Sequence, residues 1–336
     1  MASPIRLAFT MGDPAGIGPE ITAKAVRMMG DLIDSGHTEF IVLGSAKAIQ
    51  EAEARMGLPA ASKQGRPFYR MVDVGPVDNP VVIGQISPAG GEWAYRAVAK
   101  AVELVQAGEA DAIVTGPLSK EALHLAGHPF EGHTELLAHL TGQRDAVMML
   151  AHGDMHVTHV TTHCALADVS RRVTPVRLRR VFDVTLDAMR ALGIEQPRVA
   201  VAGLNPHCGE GGIIGKEDDE VIAPIVREYA DKGFSGPWPG DTVFIKLRAR
   251  QFDAVVAMFH DQGHIPVKLL GFQVDPETGS WQAISGVNIT LGLPILRTSV
   301  DHGTAFDIAG KGIADANSLV EAAEYAFRLI RGRRNA

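Results

Sequence analysis

IRLAFTMGDPAGIGPE, at residues 5–20, is the stretch that decides the fold of this chain. It begins with the short apolar run Ile5–Phe9, which predicts a β-strand, and the glycines and prolines that follow predict a turn. Apolar residues then recur at helical spacing over Glu20–Ile33, which predicts a helix. A strand, a polar loop and a helix in this order are typical of α/β proteins with a parallel sheet.

The same pattern returns along the whole chain of 336 residues, with no internal repeat or low-complexity linker between its copies. The other predicted strands are Phe40–Leu43, Ala112–Val114, Val157–Thr161, Arg198–Ala202 and Ala254–Met258, and the predicted helices include Trp93–Gln106, Pro175–Leu192, Glu220–Tyr229 and Leu319–Leu329. We therefore predict an α/β fold in which two lobes surround a largely parallel sheet. Residues 1–336 should form one two-lobed catalytic unit, softly divided near residues 120–150, whose lobes exchange segments.

The composition indicates a globular protein and argues against several classes of partner. Acidic residues outnumber basic ones by 39 to 32, and the basic run at residues 331–334 (RGRR) is short, so nucleic acid is not expected as a partner. No stretch approaches the roughly 20 apolar residues of a membrane span, and the N-terminus does not resemble a signal peptide. The two cysteines, Cys164 and Cys208, are too few for a disulfide framework. These features favour a cytoplasmic protein without a membrane partner.

Polar, glycine-containing loops follow four of the predicted strands. They are Met11–Gly16, Thr115–Lys120, Gly203–His207 and Phe259–Gly263. In open α/β sheets, ligands bind at the carboxyl ends of the strands. These loops should therefore gather one site from distant parts of the sequence.

Three histidines stand just past the ends of predicted strands: His163, His207 and His260. Imidazole is a good ligand for Zn²⁺ and similar ions, and three protein ligands with an open position are typical of a catalytic metal site. A histidine at a strand end is more often a satisfied or solvent-facing side chain, so the spacing alone is only a weak indication of a metal site. Asp261 either orients His260, as metal-bound histidines usually require, or caps the turn that follows.

Candidate anion-binding residues lie elsewhere in the chain. Thr134 opens the predicted helical segment Leu136–Leu140 and is interpreted as its N-cap; a helix N-terminus offers free N–H groups to an anion. Lys268 and Arg297 are isolated cations in apolar surroundings. This predicts an anionic partner for each of them, either a carboxylate of the protein or a phosphate of a ligand.

The glycine-rich segments do not identify a cofactor. Gly209–Gly215 lacks the G-x-G-x-x-G spacing, and the chain contains no P-loop motif. From its residues alone, the chain is predicted to be a metal-assisted, anion-binding α/β enzyme. A metal-dependent hydrolase or aldolase fits this pattern nearly as well as a dehydrogenase does, whereas a non-catalytic binding protein gives the three histidines no evident purpose.

At these same residues, the sequence resembles the 4-hydroxythreonine-4-phosphate dehydrogenase family of pyridoxal phosphate biosynthesis, over essentially the whole chain. The matching motifs are Gly12–Glu20 (GDPAGIGPE), Thr115–Lys120 (TGPLSK), Gly132–Glu135 (GHTE), Thr161–His163 (TTH), Leu204–His207 (LNPH), Gly240–Thr242 (GDT), His260–Gly263 (HDQG) and Gly286–Pro294 (GVNITLGLP). The resemblance implies the fold of the isocitrate and isopropylmalate dehydrogenases. Those enzymes bind NAD(P) without a standard Rossmann loop, which accounts for the missing fingerprint.

The resemblance also implies roles for individual residues. It implies a divalent metal, Zn, Mg or Co, that is held by His163, His207 and His260 and is shared between the two subunits of a homodimer. It implies catalytic roles for Asp241 and Lys268, and NAD or NADP as the hydride acceptor, without identifying the positions that bind the dinucleotide. The implied substrate-binding residues are His133, Thr134, Lys268, Asn288 and Arg297.

The substrate that the family implies is 4-hydroxythreonine 4-phosphate, oxidised and decarboxylated to 3-amino-2-oxopropyl phosphate. The extended connection Gln273–Ser285 departs from this biosynthetic pattern. The motif Gly263–Lys268 (GHIPVK) is closer to the catabolic paralogues, which oxidise D-threonate or D-erythronate 4-phosphate. A third branch, the cis-dihydrodiol dehydrogenases of terephthalate breakdown, acts on unphosphorylated diols. Lys120, Thr134 and Arg297 suit a phosphate and argue against that branch.

Overall fold

The predicted alternation of strands and helices forms an α/β fold with a largely parallel sheet. The structure, a computed structural model, describes residues 3–143, 145–274, 276–277 and 281–335. The strands β1 to β13 are Ile5–Thr10, Thr38–Gly44, Arg70–Asp73, Ala112–Thr115, Val147–His152, Met155–His159, Val199–Ala202, Phe234–Trp238, Ala254–Ala257, Phe272–Val274, Trp281–Ile284, Val287–Leu291 and Arg297–Val300. The helices α1 to α12 are Gly18–Met28, Gly30–Asp34, Ala46–Met56, Pro88–Gln106, Lys120–Leu125, His133–Leu140, Val169–Arg172, Pro175–Ala191, Ala223–Glu228, Gly240–Arg248, His260–Gly271 and Asn317–Asn335. Within these described ranges, no helix combines the length and the apolar character needed to cross a membrane.

The predicted elements are present, with differences at their ends. The strand predicted at Val157–Thr161 begins earlier, at Met155. The helix predicted over Glu20–Ile33 is two helices, because the chain leaves helical geometry at Met29, where φ is −95° and ψ is 17°. The helix predicted over residues 220–229 begins as the π-helical turn Asp218–Ile222 and continues as α9. Apolar spacing does not resolve such local changes in winding.

The first of two compact units comprises Met1–Ala146 and Leu293–Ile330. Its strands follow the order β3-β2-β1-β4-β13, and neighbouring strands are parallel. A buried face of α4, which includes Val98, packs in one cluster with Ala8 of β1 and Ile113 of β4. Because the strands are parallel, the loops that follow β1, β2 and β4 leave this unit at the same edge.

The second compact unit comprises Val147–Gly292 and Arg331–Ala336. Its strands follow the order β12-β5-β6-β9-β7-β8; β5 is antiparallel to both of its neighbours, whereas β6, β9, β7 and β8 are parallel. Its core contains Val157 of β6, Val255 of β9 and Val267 of α11. The loops after β6, β7 and β9, which carry the three candidate metal-binding histidines, therefore leave at the same edge.

Candidate active site

Arg297, at the start of β13 in the first unit, is almost completely buried, with 2% of its surface exposed. Its Nε and Nη2 atoms donate hydrogen bonds to Thr115 Oγ1, at 3.1 and 2.8 Å. Burial lowers the pKa of the guanidinium to about 9, and the negative charge of Glu135 opposes this effect. The guanidinium is therefore still charged at pH 7. A protein carboxylate, one of the two anionic partners considered from the sequence, is present near it.

His133 and Thr134 begin α6 in the same unit. The prediction that Thr134 caps this helix is wrong, because Gly132 is the N-cap and no side chain accepts a capping hydrogen bond there. Gly132 already has the extended backbone of a cap, with φ at 165°, so the helix begins before the position that the apolar pattern indicates. Thr134 is thus a residue of the first helical turn, where its backbone N–H still lacks an intrahelical acceptor.

His133 faces the interior of this region. Its Nε2 atom is buried and has no hydrogen-bond partner. Burial lowers the pKa of the imidazole well below its ordinary value, and the positive charge of Arg297 lowers it further. His133 is therefore neutral at pH 7. A buried polar atom without a partner is uncommon in proteins, and its presence fits a position where a ligand binds.

Asp13, in the loop after β1, is a buried acid that the sequence analysis did not single out. Its side chain is fully buried; Oδ1 accepts a hydrogen bond from the Ala15 N–H at 2.9 Å, whereas Oδ2 has no hydrogen-bond partner. Gly90 of α4 lies so close that a Cβ atom there would be 2.4 Å from Oδ1. Burial raises the pKa of Asp13 to about 6, although the Ala15 N–H lowers it in part. The available signal in the sequence was its place in the Gly12–Glu20 motif.

The raised pKa of Asp13 predicts a stability that depends on pH. The ordinary pKa of the group is 3.8 and its pKa in the folded protein is about 6, so the folded state binds the proton more tightly. The resulting stabilisation is complete below pH 4 and is lost as the pH rises through 6, with a total of about 3 kcal/mol. Asp13→Asn cannot ionise. The stability of this variant relative to the wild type should therefore rise by about 2.5 kcal/mol between pH 4 and pH 8.

Urea unfolding at a series of pH values measures this difference. The relative change with pH is the quantity of interest, because any difference in packing between the amide and the acid does not depend on pH. The exposed Asp31 provides the matched control, since Asp31→Asn should show no comparable rise. A constant difference between Asp13→Asn and the wild type across this range would contradict the assignment.

His260 and His163 lie together in the second unit. The centres of their rings are 5.7 Å apart. Asp261 Oδ1 is 2.7 Å from His260 Nδ1, so that with the carboxylate as acceptor the Nδ1–H donates and Nε2 is left as the ligand atom. Of the two roles considered for Asp261, the structure thus favours the orientation of His260. The His264 ring stacks on the His260 ring, with a centre-to-centre distance of 3.6 Å.

His207 also lies in the second unit, in a turn with left-handed backbone geometry that borders a cavity. It begins a turn of unusual backbone geometry, with φ at 52° for His207, 55° for Cys208 and 47° for Glu210. A left-handed backbone costs a residue other than glycine roughly 1–2 kcal/mol. His207 lines a cavity of about 680 Å³ together with Asp241, the candidate catalytic acid in the first turn of α10. The structure therefore brings these two predicted site residues together.

The side chains of the three candidate histidines are suitable ligands for a divalent metal, although the three do not converge on one ion within a single chain. His163, His207 and His260 offer imidazole nitrogens, and His260 has the carboxylate partner that is usual for a metal-bound histidine. In the part of the chain that the structure describes, however, these three histidines do not form a group whose ligand atoms all lie within 4.8 Å of one another. The rings of His163 and His260 are neighbours in this set.

The remaining predicted site residues also lie in the second unit. Lys268 is on α11, with Nζ 5.1 Å from the centre of the Phe272 ring, and Asn288 is on β12 opposite Leu150 of β5. The predicted substrate-binding residues are thus divided, since the other three belong to the first unit. The extended connection Gln273–Ser285 contains most of the β10–β11 hairpin, but residues 275 and 278–280 of this connection lie outside the described residues.

A cavity of about 610 Å³ opens in the first unit at the carboxyl ends of β1, β2 and β3. Its lining includes Gly16, Ser45, Asp73 and Trp93. Asp73 shapes one wall, because its carboxylate accepts hydrogen bonds from the backbone N–H groups of residues 46 and 75, at 3.1 and 2.8 Å. This volume is in the range of small-molecule sites. Gly16 belongs to the Gly12–Glu20 motif, whereas Ser45, Asp73 and Trp93 come from segments that no motif in the sequence marked.

Comparison with known proteins connects this architecture to one enzyme family. Residues 36–326 match the family model described as "Pyridoxal phosphate biosynthetic protein PdxA". The chain is 57% identical over 336 residues, 97% of each protein, to the "Putative D-threonate 4-phosphate dehydrogenase" of Bradyrhizobium diazoefficiens. It is 43% identical to the 4-hydroxythreonine-4-phosphate dehydrogenase of Beijerinckia indica, over 96% of this chain and 94% of that protein. The crystal structure of 4-hydroxythreonine-4-phosphate dehydrogenase from Klebsiella pneumoniae matches with a TM-score of 0.80 and 39% identity, over 98% of this chain and 100% of that one.

The shared fold and the sequence identity over nearly the full length make this chain an oxidoreductase of the dehydrogenase class. It belongs to the PdxA family, as its motifs indicated. Both the family resemblance and the α/β fold class predicted from the sequence are thereby confirmed.

Proposed function

We propose that this protein is an NAD(P)- and divalent-metal-dependent dehydrogenase that oxidises and decarboxylates a four-carbon hydroxy acid 4-phosphate, with D-threonate 4-phosphate as the preferred substrate. The observation that carries this proposal is the 57% identity over 97% of both chains to the Bradyrhizobium protein of that name. The GHIPVK motif at Gly263–Lys268 supports the same branch. 4-Hydroxythreonine 4-phosphate is the second candidate substrate, supported by the Beijerinckia relative at 43% identity.

Both candidate substrates carry a carboxylate at C1, a hydroxyl at C3 and a phosphate at C4. In the proposed reaction, the C3–H bond breaks as its hydride passes to the nicotinamide, and the C3 hydroxyl loses its proton. The resulting β-keto acid then loses C1 as CO₂. A divalent ion held by His163, His207 and His260 would supply Lewis-acid chemistry that favours both steps.

The protein's own residues have distinct proposed roles in binding. Arg297 and Lys268 would neutralise the phosphate, because cationic side chains make strong charge-assisted hydrogen bonds to its oxygens. Thr134 and Asn288 would add neutral donors. His133 supports this assignment, since its buried Nε2 lacks a partner and a neutral imidazole can donate one hydrogen bond to a ligand oxygen.

Asp241 and Lys268 are proposed to move protons. The Asp241 carboxylate is exposed and lines the same cavity as His207, which supports its proposed role as the acceptor of the proton of a hydroxyl bound there. An ammonium group such as that of Lys268 can return a proton to C2 after CO₂ leaves. Neither group needs to form a covalent bond to the substrate in this scheme.

A comparison of kcat/KM for the two phosphorylated acids, each with NAD and with NADP, tests the proposed substrate. They differ at C2, where D-threonate 4-phosphate has a hydroxyl and 4-hydroxythreonine 4-phosphate has an ammonium group. A site selective for one of them should discriminate by tenfold or more, because burying the wrong polar group leaves it without partners. A preference for 4-hydroxythreonine 4-phosphate would reverse the proposed order of substrates and leave the dehydrogenase assignment in place.

We further propose that the protein is a homodimer whose two subunits complete each active site. In the described part of one chain, the ligand atoms of the three histidines do not all lie within 4.8 Å of one another. This fits an arrangement in which the partner subunit supplies the missing ligand. Helix α11, which begins with His260, also exposes two apolar side chains one turn apart: Ile265 is 57% exposed and Leu269 is 76% exposed. Apolar side chains of this size on one helix face are typical of a surface that a second subunit covers.

Leu269→Glu should weaken the dimer, because the carboxylate would be buried without a partner in the interface. A central interface residue typically contributes about 2 kcal/mol or more, so the dissociation constant should rise by roughly 30-fold or more. Analytical ultracentrifugation over a range of concentrations measures the change. Leu125→Glu is the matched control, since Leu125 is 55% exposed on α5 in the first unit. A fully active monomeric wild type would contradict the proposed arrangement.

A further inference from the structure

The turn that begins at His207 is held in a backbone conformation that its residues disfavour. Three residues other than glycine, His207, Cys208 and Glu210, have φ between 47° and 55°. The glycines between and after them, Gly209, Gly211 and Gly212, also have positive φ. The segment therefore forms a continuous left-handed turn. Such strain persists only where the surrounding structure over-determines the conformation.

Asp218 is the residue that fixes the chain just before this turn. It is fully buried. Its Oδ1 accepts a hydrogen bond from the Leu204 N–H at 2.8 Å, and its Oδ2 accepts two from Asn205, from the backbone N–H at 2.9 Å and from Nδ2 at 3.0 Å. Both carboxylate oxygens are therefore engaged, and every one of these donors lies within three residues of His207.

The turn itself packs closely against the same support. A Cβ atom on Gly203 would lie 2.8 Å from Cys208 Sγ and 3.0 Å from Asp218 Oδ1. A Cβ atom on Gly209 would lie 2.5 Å from the carbonyl oxygen of Gly215. The chain on both sides of His207 is thus pressed against the segment that ends at Asp218, so a shift of the carboxylate would be transmitted to the turn.

We propose that Asp218 is a positioning residue that sets the direction of the His207 imidazole for metal binding by holding the left-handed turn. This inference rests on the proposed function, in which His207 is a metal ligand. In this role Asp218 would touch neither metal nor substrate. It acts through the backbone of Leu204 and Asn205, whereas Asp261 acts on His260 through a direct side-chain contact. The two ligands would then be oriented by different means.

Asp218→Asn is the direct test, because it keeps the size of the side chain but replaces one acceptor oxygen by an NH₂ group that faces N–H donors. The readout is the titration of metal-free, full-length protein with Co²⁺, followed by the visible absorption of the bound ion. The affinity for Co²⁺ should fall by about ten- to a hundredfold, the usual effect of losing an outer-shell partner. Asp219→Asn is the matched control, since the neighbouring Asp219 is exposed and should leave the affinity unchanged.

A second change separates positioning from a general loss of stability. Glu210→Gly relieves strain, because glycine adopts positive φ without a steric penalty. If Asp218 acts by holding the turn, adding Glu210→Gly to Asp218→Asn should restore the Co²⁺ affinity several-fold, while Glu210→Gly alone should change it little. If Asp218→Asn does not fold, Asn205→Ala, which removes one of the three donors, should still lower the affinity several-fold.

The possible results separate two claims, namely that Asp218 positions His207 and that His207 binds the metal. A wild-type affinity for Co²⁺ in Asp218→Asn, accompanied only by a lower melting temperature, would overturn the positioning role and leave the metal assignment intact. So would a normal affinity in Asn205→Ala. If His207→Ala bound Co²⁺ as tightly as the wild type, the metal-ligand role of His207 would be the part that fails.

Discussion

Replacement of His207 by alanine is expected to lower kcat/KM by about three orders of magnitude or more and to remove tightly bound metal at the same time. The reason is that the ion, held by the histidines, supplies the charge that helps the substrate hydroxyl ionise. The imidazole contributes only through the ion. Metal content by elemental analysis and turnover by NADH formation should therefore fall together, whereas the far-ultraviolet circular dichroism should stay unchanged.

A matched histidine variant controls for nonspecific effects of this substitution. His37 is exposed and lies just before β2 in the first unit, and His37→Ala should retain both metal and activity. His207→Ala with full activity after exhaustive chelation would remove His207 from the mechanism. Loss of activity with full metal content would instead point to a direct contact between the imidazole and the substrate.

Arg297→Met is expected to lower kcat/KM for a phosphorylated substrate by about ten- to a hundredfold. The guanidinium is charged and almost fully buried, and a charge-assisted hydrogen bond to phosphate contributes roughly 1.5–3 kcal/mol. Methionine keeps much of the side-chain bulk and removes the charge. Steady-state kinetics with the phosphorylated acid and with its unphosphorylated form should show that the penalty largely vanishes when the phosphate is absent.

The comparison also separates binding of phosphate from support of the fold. Arg297 hydrogen-bonds to Thr115 within the protein, so the melting temperature of the variant must be measured beside its kinetics. Arg297→Lys keeps the positive charge but lacks the planar guanidinium group. Its kcat/KM for the phosphorylated substrate should therefore fall less than that of Arg297→Met. An equal loss for both forms of the substrate would mean that Arg297 acts through the structure of the site. A wild type that prefers an unphosphorylated cis-diol would favour the dihydrodiol branch.

Much of the fold was predictable because its signals are local. Most predicted strands are short, largely apolar runs with a glycine within three residues of their end, as at Ile5–Phe9, and local patterns of this kind determine the element type. The ends of elements depend on finer events. The interruption at Met29 and the early start of α6 at His133 arise from the conformation of single residues, which apolar spacing does not record.

Candidate site residues were predictable from the sequence where both the residue type and its position at the end of a strand indicate a function. His163, His207 and His260 stand at strand ends that share an edge, so their residue type and place in the sequence sufficed to nominate them. Asp13 and Asp218 were missed, because their importance lies in burial and in hydrogen bonds to residues elsewhere. An aspartate in a loop is usually a solvated side chain, and only the packed structure distinguishes these two from the others.

The most direct test of the account is NADH formation from D-threonate 4-phosphate by protein stripped of metal and then resupplied with Zn²⁺, Mg²⁺ or Co²⁺. Turnover should be negligible after chelation and should recover with at least one of these ions. One CO₂ should be released for each NADH formed. Release of inorganic phosphate without any reduction of NAD or NADP, which a metal-dependent hydrolase would give, or full dehydrogenase activity without metal, would contradict it.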